Sequence, residues 1–188
     1  GTDTGSATSI SSGGLTKDNT LALSGTYADA NGVSKVEIYD NDSYITDATL
    51  DGSGTWSYTT GTLADGNHSF TARIYDNAGN TATTTTPAVT AIVDTTAATG
   101  SFSSTIGTDT GSALTISSGG LTKDNTLALS GTYADVNGVS KVEIYDGATL
   151  LGNAALSGGS WTYTTASLSD GNHSFTARIY DNAGNTAT

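Results

Sequence analysis

Apolar residues fall at every second position of this chain in short runs, and polar turn residues separate the runs. In 126–133 (TLALSGTY), Leu127, Leu129 and Tyr133 share one face, the period of two that a half-buried strand requires. The run KVEIY at 141–145 sets Val142 and Ile144 inward and Lys141, Glu143 and Tyr145 outward. Trp161 and Tyr163 share a parity, as do Phe175, Ala177 and Ile179. Asn137-Gly138, Asp170-Gly171-Asn172 and the run DNAGN at 181–185 supply turns between them. A weaker alternation at 100–106 predicts a first strand, 107–125 a long polar loop, and 84–93 a closing strand with Val89, Ile92 and Val93. About seven short strands with no helical period predict an antiparallel β-sandwich.

The pattern occurs twice. Residues 1–40 return as 107–146 with changes only at Thr8, Ser9 and Ala30, and 63–83 return as 168–188 with one change, Ala64 to Ser169. A period this long is a whole domain, so the fold class is all-β with two tandem domains, 1–93 and 94–188. The repeat register leaves the first domain without a counterpart of 94–106, its first strand. It leaves the second without a counterpart of 84–93, its closing strand. Exposed sheet edges at both ends are the expectation. The segment that differs most between copies, 41–55 against 147–160, is expected to be a surface hairpin.

Charge changes the picture next. Eighteen acidic residues face six basic ones, a net charge of −12. No basic stripe exists to displace counterions, which argues against nucleic acid and anionic membranes. No stretch approaches the roughly 20 apolar residues of a membrane span, so a soluble segment without membrane insertion is expected. Cysteine is absent, and bound calcium is a common substitute for disulfide rigidity outside the cell. The acids stand singly beside Gly, Asn and Thr, the chemistry of hard-cation ligands. No nucleophile elbow, phosphate-cradling glycine loop, HExxH or EF-hand loop occurs, and the chain is not expected to be an enzyme.

The run LxDGNHSFTARIYDNAGN at 63–80 and 168–185 resembles the closing signature of bacterial immunoglobulin-like repeats. So do the joint VDTTA at 93–97, LSGTY at 23–27 and 129–133, and the W-x-Y-T strand at 56–59 and 161–164. Ala98 stands after Ala97 where such joints usually carry proline, which leaves the joint intrinsically less stiff. The resemblance implies immunoglobulin-like sandwiches from the stalk of a giant secreted adhesin of Gram-negative bacteria, of the biofilm-associated or RTX type. It also implies an extracellular, cell-surface location and calcium (Ca2+) bound at domain junctions, with neighbouring repeats as partners.

In an immunoglobulin topology Asp3, Asp18 and Asp65 lie at one pole of the first domain, where the closing strand delivers Asp94. Asp109 and Asp124 are the counterparts of Asp3 and Asp18 in the second copy. The opposite pole of the second domain carries Asp135, Asn137, Asp181, Asn182 and Asn185, with Asp76 matching Asp181 in the first copy. Each has a plainer reading. Asp and Asn in DNAGN, and Asp65 before glycine, serve turn hydrogen bonds. His68 and His173 are one per domain, too few for a zinc site. Trp56 and Trp161 are core aromatics or, alternatively, sugar-stacking platforms. The expected function is therefore a calcium-rigidified extender that projects a ligand-binding region for adhesion or biofilm formation. The alternative is that the domains themselves bind a glycan or protein, with the variable hairpins as the place to look.

Overall fold

The computed structural model describes residues 9–83, 88–107 and 115–188. It divides into two compact units, Gly1–Thr96 and Ala97–Thr188. The first unit contains β1 (Gly14–Thr16), β2 (Ala22–Thr26), β3 (Val33–Asp40), β4 (Ser43–Asp47), β5 (Thr49–Leu50), β6 (Thr55–Thr59), β7 (Gly66–Asp76), β8 (Thr81–Thr83) and β9 (Val89–Val93). One sheet runs β1-β9-β7-β3-β4, with β8 also on β7; the other runs β2-β6-β5. All strand pairs in this unit are antiparallel among the described residues except β1 with β9, where Gly14–Thr16 runs parallel to 91–93.

Alternation gives each sheet its buried face. Val36 and Ile38 of β3 are fully buried with Trp56 and Ala72, and a neighbouring cluster joins Leu21, Phe70 and Ala91. The variable segment, expected to be one hairpin, divides between the sheets: β4 forms a hairpin with β3, whereas β5 pairs with β6 in the other sheet. β3 and β4 are joined by Asn41 and Asp42, both at positive φ (48° and 64°), the geometry of a tight two-residue turn.

The second unit contains β10 (Thr99–Phe102), β11 (Thr105–Gly107), β12 (Thr115–Ser117), β13 (Ala128–Ala134), β14 (Val139–Asp146), β15 (Thr149–Asn153), β16 (Ala155–Ser157), β17 (Ser160–Thr164), β18 (Phe175–Asp181) and β19 (Thr186–Ala187). Its sheets are β12-β11-β13-β17-β16, with β10 also on β13, and β15-β14-β18-β19. The core gathers Ala98, Leu127, Leu129, Val142, Ile144, Trp161 and Ile179. The expected single first strand is two, β10 and β11, because the chain breaks at Ser103-Ser104 while both pieces stay on β13. The expected polar loop contains β12, which folds back on β11.

Near-identical sequence takes two structures here. Gly14–Thr16 is a strand beside β9, whereas the same residues at 120–122 are not in a strand, and Leu121 is 98% exposed. β7 begins at Gly66 because β9 pairs with its first five residues. Its counterpart β18 begins only at Phe175. A strand needs a partner for its backbone groups, and local sequence does not supply one.

Candidate functional site

The chain leaves the first unit along a fastened path. The Asp94 amide donates to the Thr16 carbonyl at 2.8 Å, which continues the β1–β9 pairing by one residue. Asp94 itself is buried and its Oδ1 accepts the Thr96 amide at 3.2 Å. Asp65 holds the next two residues: its Oδ1 accepts both the Thr95 amide (2.9 Å) and hydroxyl (2.7 Å), and its Oδ2 accepts the Thr96 hydroxyl (2.8 Å). Those donors, the Thr95 hydroxyl foremost, hold the Asp65 carboxyl below its ordinary range. Asp65 thus fastens the joint.

Asp18 is also buried, and its Oδ1 accepts the Thr20 amide and hydroxyl at 3.1 Å. Asp18, Asp65 and Asp94 share this end of the unit but do not converge within 4.8 Å as a trio. Asp3 and Asp109 lie outside the described residues. Asp124, half-buried, sits in the 118–127 loop, where its amide donates to the Thr122 hydroxyl at 3.0 Å.

The second unit concentrates acids where its chain begins. Thr99 of β10 pairs with Ala134, so Asp135 follows directly at that corner. Val139 pairs with Asp181, which brings the two turns together. One carboxylate oxygen of Asp135 and one of Asp181 lie within 4.8 Å. Among the described residues neither is in an ion pair with Lys, Arg or His. Two full charges at that distance repel by roughly 3 kcal/mol at an effective dielectric of about 20.

Both carboxylates also shape their turns. Asp135 Oδ1 accepts the Asn137 amide at 2.8 Å, and Asp181 accepts the Asn185 backbone (2.8 Å) and side-chain (2.9 Å) N–H groups. Asn182 Nδ2 donates to the Asn137 carbonyl at 2.8 Å and locks one turn to the other. A carboxylate has about four lone-pair sites and an amide oxygen has two, so acceptor capacity remains for a cation. The donor set is all oxygen, which fits calcium and does not fit a thiolate or imidazole metal. In the first unit Asp76 makes the equivalent turn, accepting the Ala78 and Asn80 amides at 2.8 Å and Asn80 Nδ2 at 2.7 Å. Those bonds, with the Asn80 side chain foremost, hold it below its ordinary range.

Sequence pattern did not reveal a second polar cluster, on the outward face of each domain. Glu37 accepts Lys35 Nζ (2.6 Å), the Tyr39 hydroxyl (2.7 Å) and the Tyr75 hydroxyl (2.8 Å), and Glu143 repeats this with Lys141, Tyr145 and Tyr180. The lysine bond leads in holding each glutamate down, to about 2. The alternation KVEIY was the available signal, since it sets Lys, Glu and Tyr on one face. The two tryptophans are core residues, Trp161 fully buried and Trp56 9% exposed. Both histidines staple the end of a strand: Nδ1 meets Asp40 or Asp146 at 2.6 Å, and Nε2 meets the Ala64 or Ser169 carbonyl at 2.9 Å.

Comparison with known proteins agrees with this architecture. Fibronectin(III)-like modules of Clostridium thermocellum CbhA align over 95% of this chain and 86% of theirs, at 18% identity and a TM-score of 0.50. This is a likeness of fold alone. Bacteroides ovatus SGBP-B, solved in complex with a mixed-linkage heptasaccharide, aligns over 95% of this chain and 62% of its own at 9% identity. Its TM-score of 0.31 carries no argument. No characterised protein sequence matches closely. The family model for the bacterial Ig-like domain matches twice, over residues 1–95 and 96–188, and the chain belongs to that family as two tandem domains.

Proposed function

We propose that this chain is a length of extender stalk: non-catalytic repeats of a secreted bacterial surface adhesin that hold a ligand-binding region away from the cell. The observation that carries this reading is the shortness of the joint between two near-identical domains. Thr96 is tied to Asp65 in the first domain, and Ala98 is 3% exposed in the core of the second. One residue, Ala97, separates them. Copies joined this tightly suit length and spacing better than chemistry.

Calcium is the stiffening agent in this proposal. Asp94 supplies a carboxylate from the first domain, while Asp135 and Asp181 supply the second domain's share, supported by Asn182 and Asn185. The close approach of Asp135 and Asp181 supports the reading, because a divalent cation relieves their repulsion. Extracellular modules bind calcium with dissociation constants of about 10⁻⁴–10⁻³ M, so millimolar calcium adds about 1 kcal/mol per site. A thermal melt tests this. Calcium is expected to raise the transition by about 4–8 °C over chelator, and Asp135→Asn combined with Asp181→Asn to abolish the shift. A melt indifferent to calcium rejects the metal. Saturable binding of a glycan would favour the domains as direct ligand binders, although the buried tryptophans are not placed as sugar platforms.

A further inference from the structure

His68 is held at both ring nitrogens. Nδ1 lies 2.6 Å from Asp40 Oδ2 and Nε2 lies 2.9 Å from the Ala64 carbonyl, while the Ser69 amide donates to Asp40 Oδ1 at 3.1 Å. The imidazole stacks on Phe70, with centroids 5.9 Å apart and planes at 9°, and its side chain is 11% exposed. Among the described residues Asp40, at the end of β3, is the one charged group acting on the ring; β7 contributes Phe70, and β9 places Ala91 opposite. Both groups facing the nitrogens are acceptors, so both bonds form only when each nitrogen carries a proton. A neutral ring has one N–H. The carboxylate is the stronger acceptor and keeps it, which sets the Nε2 lone pair against the Ala64 carbonyl. Loss of the proton therefore unhooks Ala64 and leaves the bond to Asp40 in place.

Ala64 leads directly to the joint. Its carbonyl belongs to the peptide unit that carries Asp65, whose carboxylate grips the Thr95 amide and hydroxyl and the Thr96 hydroxyl. Beyond Asp65, Gly66 opens β7 opposite Val93. A continuous connection thus runs from Asp40 through His68 and the 64–65 peptide to residues 95–96, all within the first unit. The second domain repeats the clamp. His173 meets Asp146 at 2.6 Å and the Ser169 carbonyl at 2.9 Å, and it stacks on Phe175 with centroids 5.9 Å apart.

We propose that His68 is a proton-operated latch on the joint: the imidazolium fixes the loop that sets Asp65 against Thr95 and Thr96, and the neutral ring releases it. Burial lowers the pKa of His68, but the Ala64 carbonyl and Asp40 outweigh it and leave it raised. The latch is therefore closed below the ordinary value of about 6.5 and opens as pH rises through the folded value. Mild acid tightens this end of the domain and alkali loosens it. Neither calcium nor an adhesive role enters this assignment.

The test is NMR of the 188-residue chain in chelator, from about pH 5.5 upward until the His68 imidazole is neutral. Protection of the Thr95 amide, its exchange rate corrected for the intrinsic effect of pH, should fall at least about threefold with the same midpoint as the imidazole. Asp40→Asn should lower both midpoints together. His68→Gln should leave Thr95 protection flat with pH, and His173→Gln should leave the step as it is. The Thr20 amide, which Asp18 holds at the same end of the unit, is the control and should show no step. Flat Thr95 protection while His68 titrates would overturn the latch. So would a step that survives His68→Gln, one that keeps its midpoint in Asp40→Asn, or one that Thr20 shares.

Discussion

Asp65 shows how one residue type supports two readings until its partners are known. Aspartate before glycine suits either a turn or a cation, and sequence cannot choose because the deciding partners, Thr95 and Thr96, lie about 30 residues away. Removing the carboxylate, Asp65→Ala, should speed amide exchange at Thr95 and cost about 1 kcal/mol in urea unfolding at neutral pH. Its folded pKa is depressed, so its contribution is present above the unfolded value near 3.9 and is lost as pH falls through the folded value. The difference between wild type and Asp65→Ala should therefore close in acid; a difference constant down to pH 2 would contradict the fastening role. His68 and His173 run the other way. Burial pushes His68 down, but the Ala64 carbonyl and Asp40 outweigh it and leave it raised. At His173 the Ser169 carbonyl leads, with Asp146, in raising it. Their contribution is full below the unfolded value near 6.5 and is lost as pH rises through the folded value. Proton NMR should find both imidazoles titrating above 6.5, with Asp146→Asn lowering His173 alone.

Among the elements, alternation located β3, β7, β13, β14 and β17 and their buried residues, because a strand with one wet face writes its orientation into every second residue. It did not locate β1 or β12. The run ISSGGLTKDNT is the same at 10–20 and 116–126, yet it pairs through Gly14–Thr16 with β9 in one copy and through 115–117 with β11 in the other. What differs is the neighbouring strand, which no local pattern encodes. The consequence is measurable by hydrogen exchange. Amides of residues 67–69, covered by β9, should exchange at least about tenfold more slowly than their copies at 172–174. Equal rates would mean that β9 contributes nothing to holding that end of β7.

At the scale of the whole molecule, duplication was the most legible feature, and it bears most directly on function. The extender role proposed above rests on two family domains with a one-residue joint. The acid corner formed by Asp135 and Asp181 was legible as residue types in turns; their close approach was not, since it depends on Val139 pairing with Asp181 across the sheet. The most direct measurement is small-angle scattering of the two-domain chain in millimolar calcium and in chelator, with Asp94→Ala beside it. A calcium-stiffened stalk predicts a longer maximum dimension and a narrower distance distribution with calcium, and Asp94→Ala should lose both. Identical curves with calcium and with chelator would contradict it and leave the loop acids as solvated turn residues.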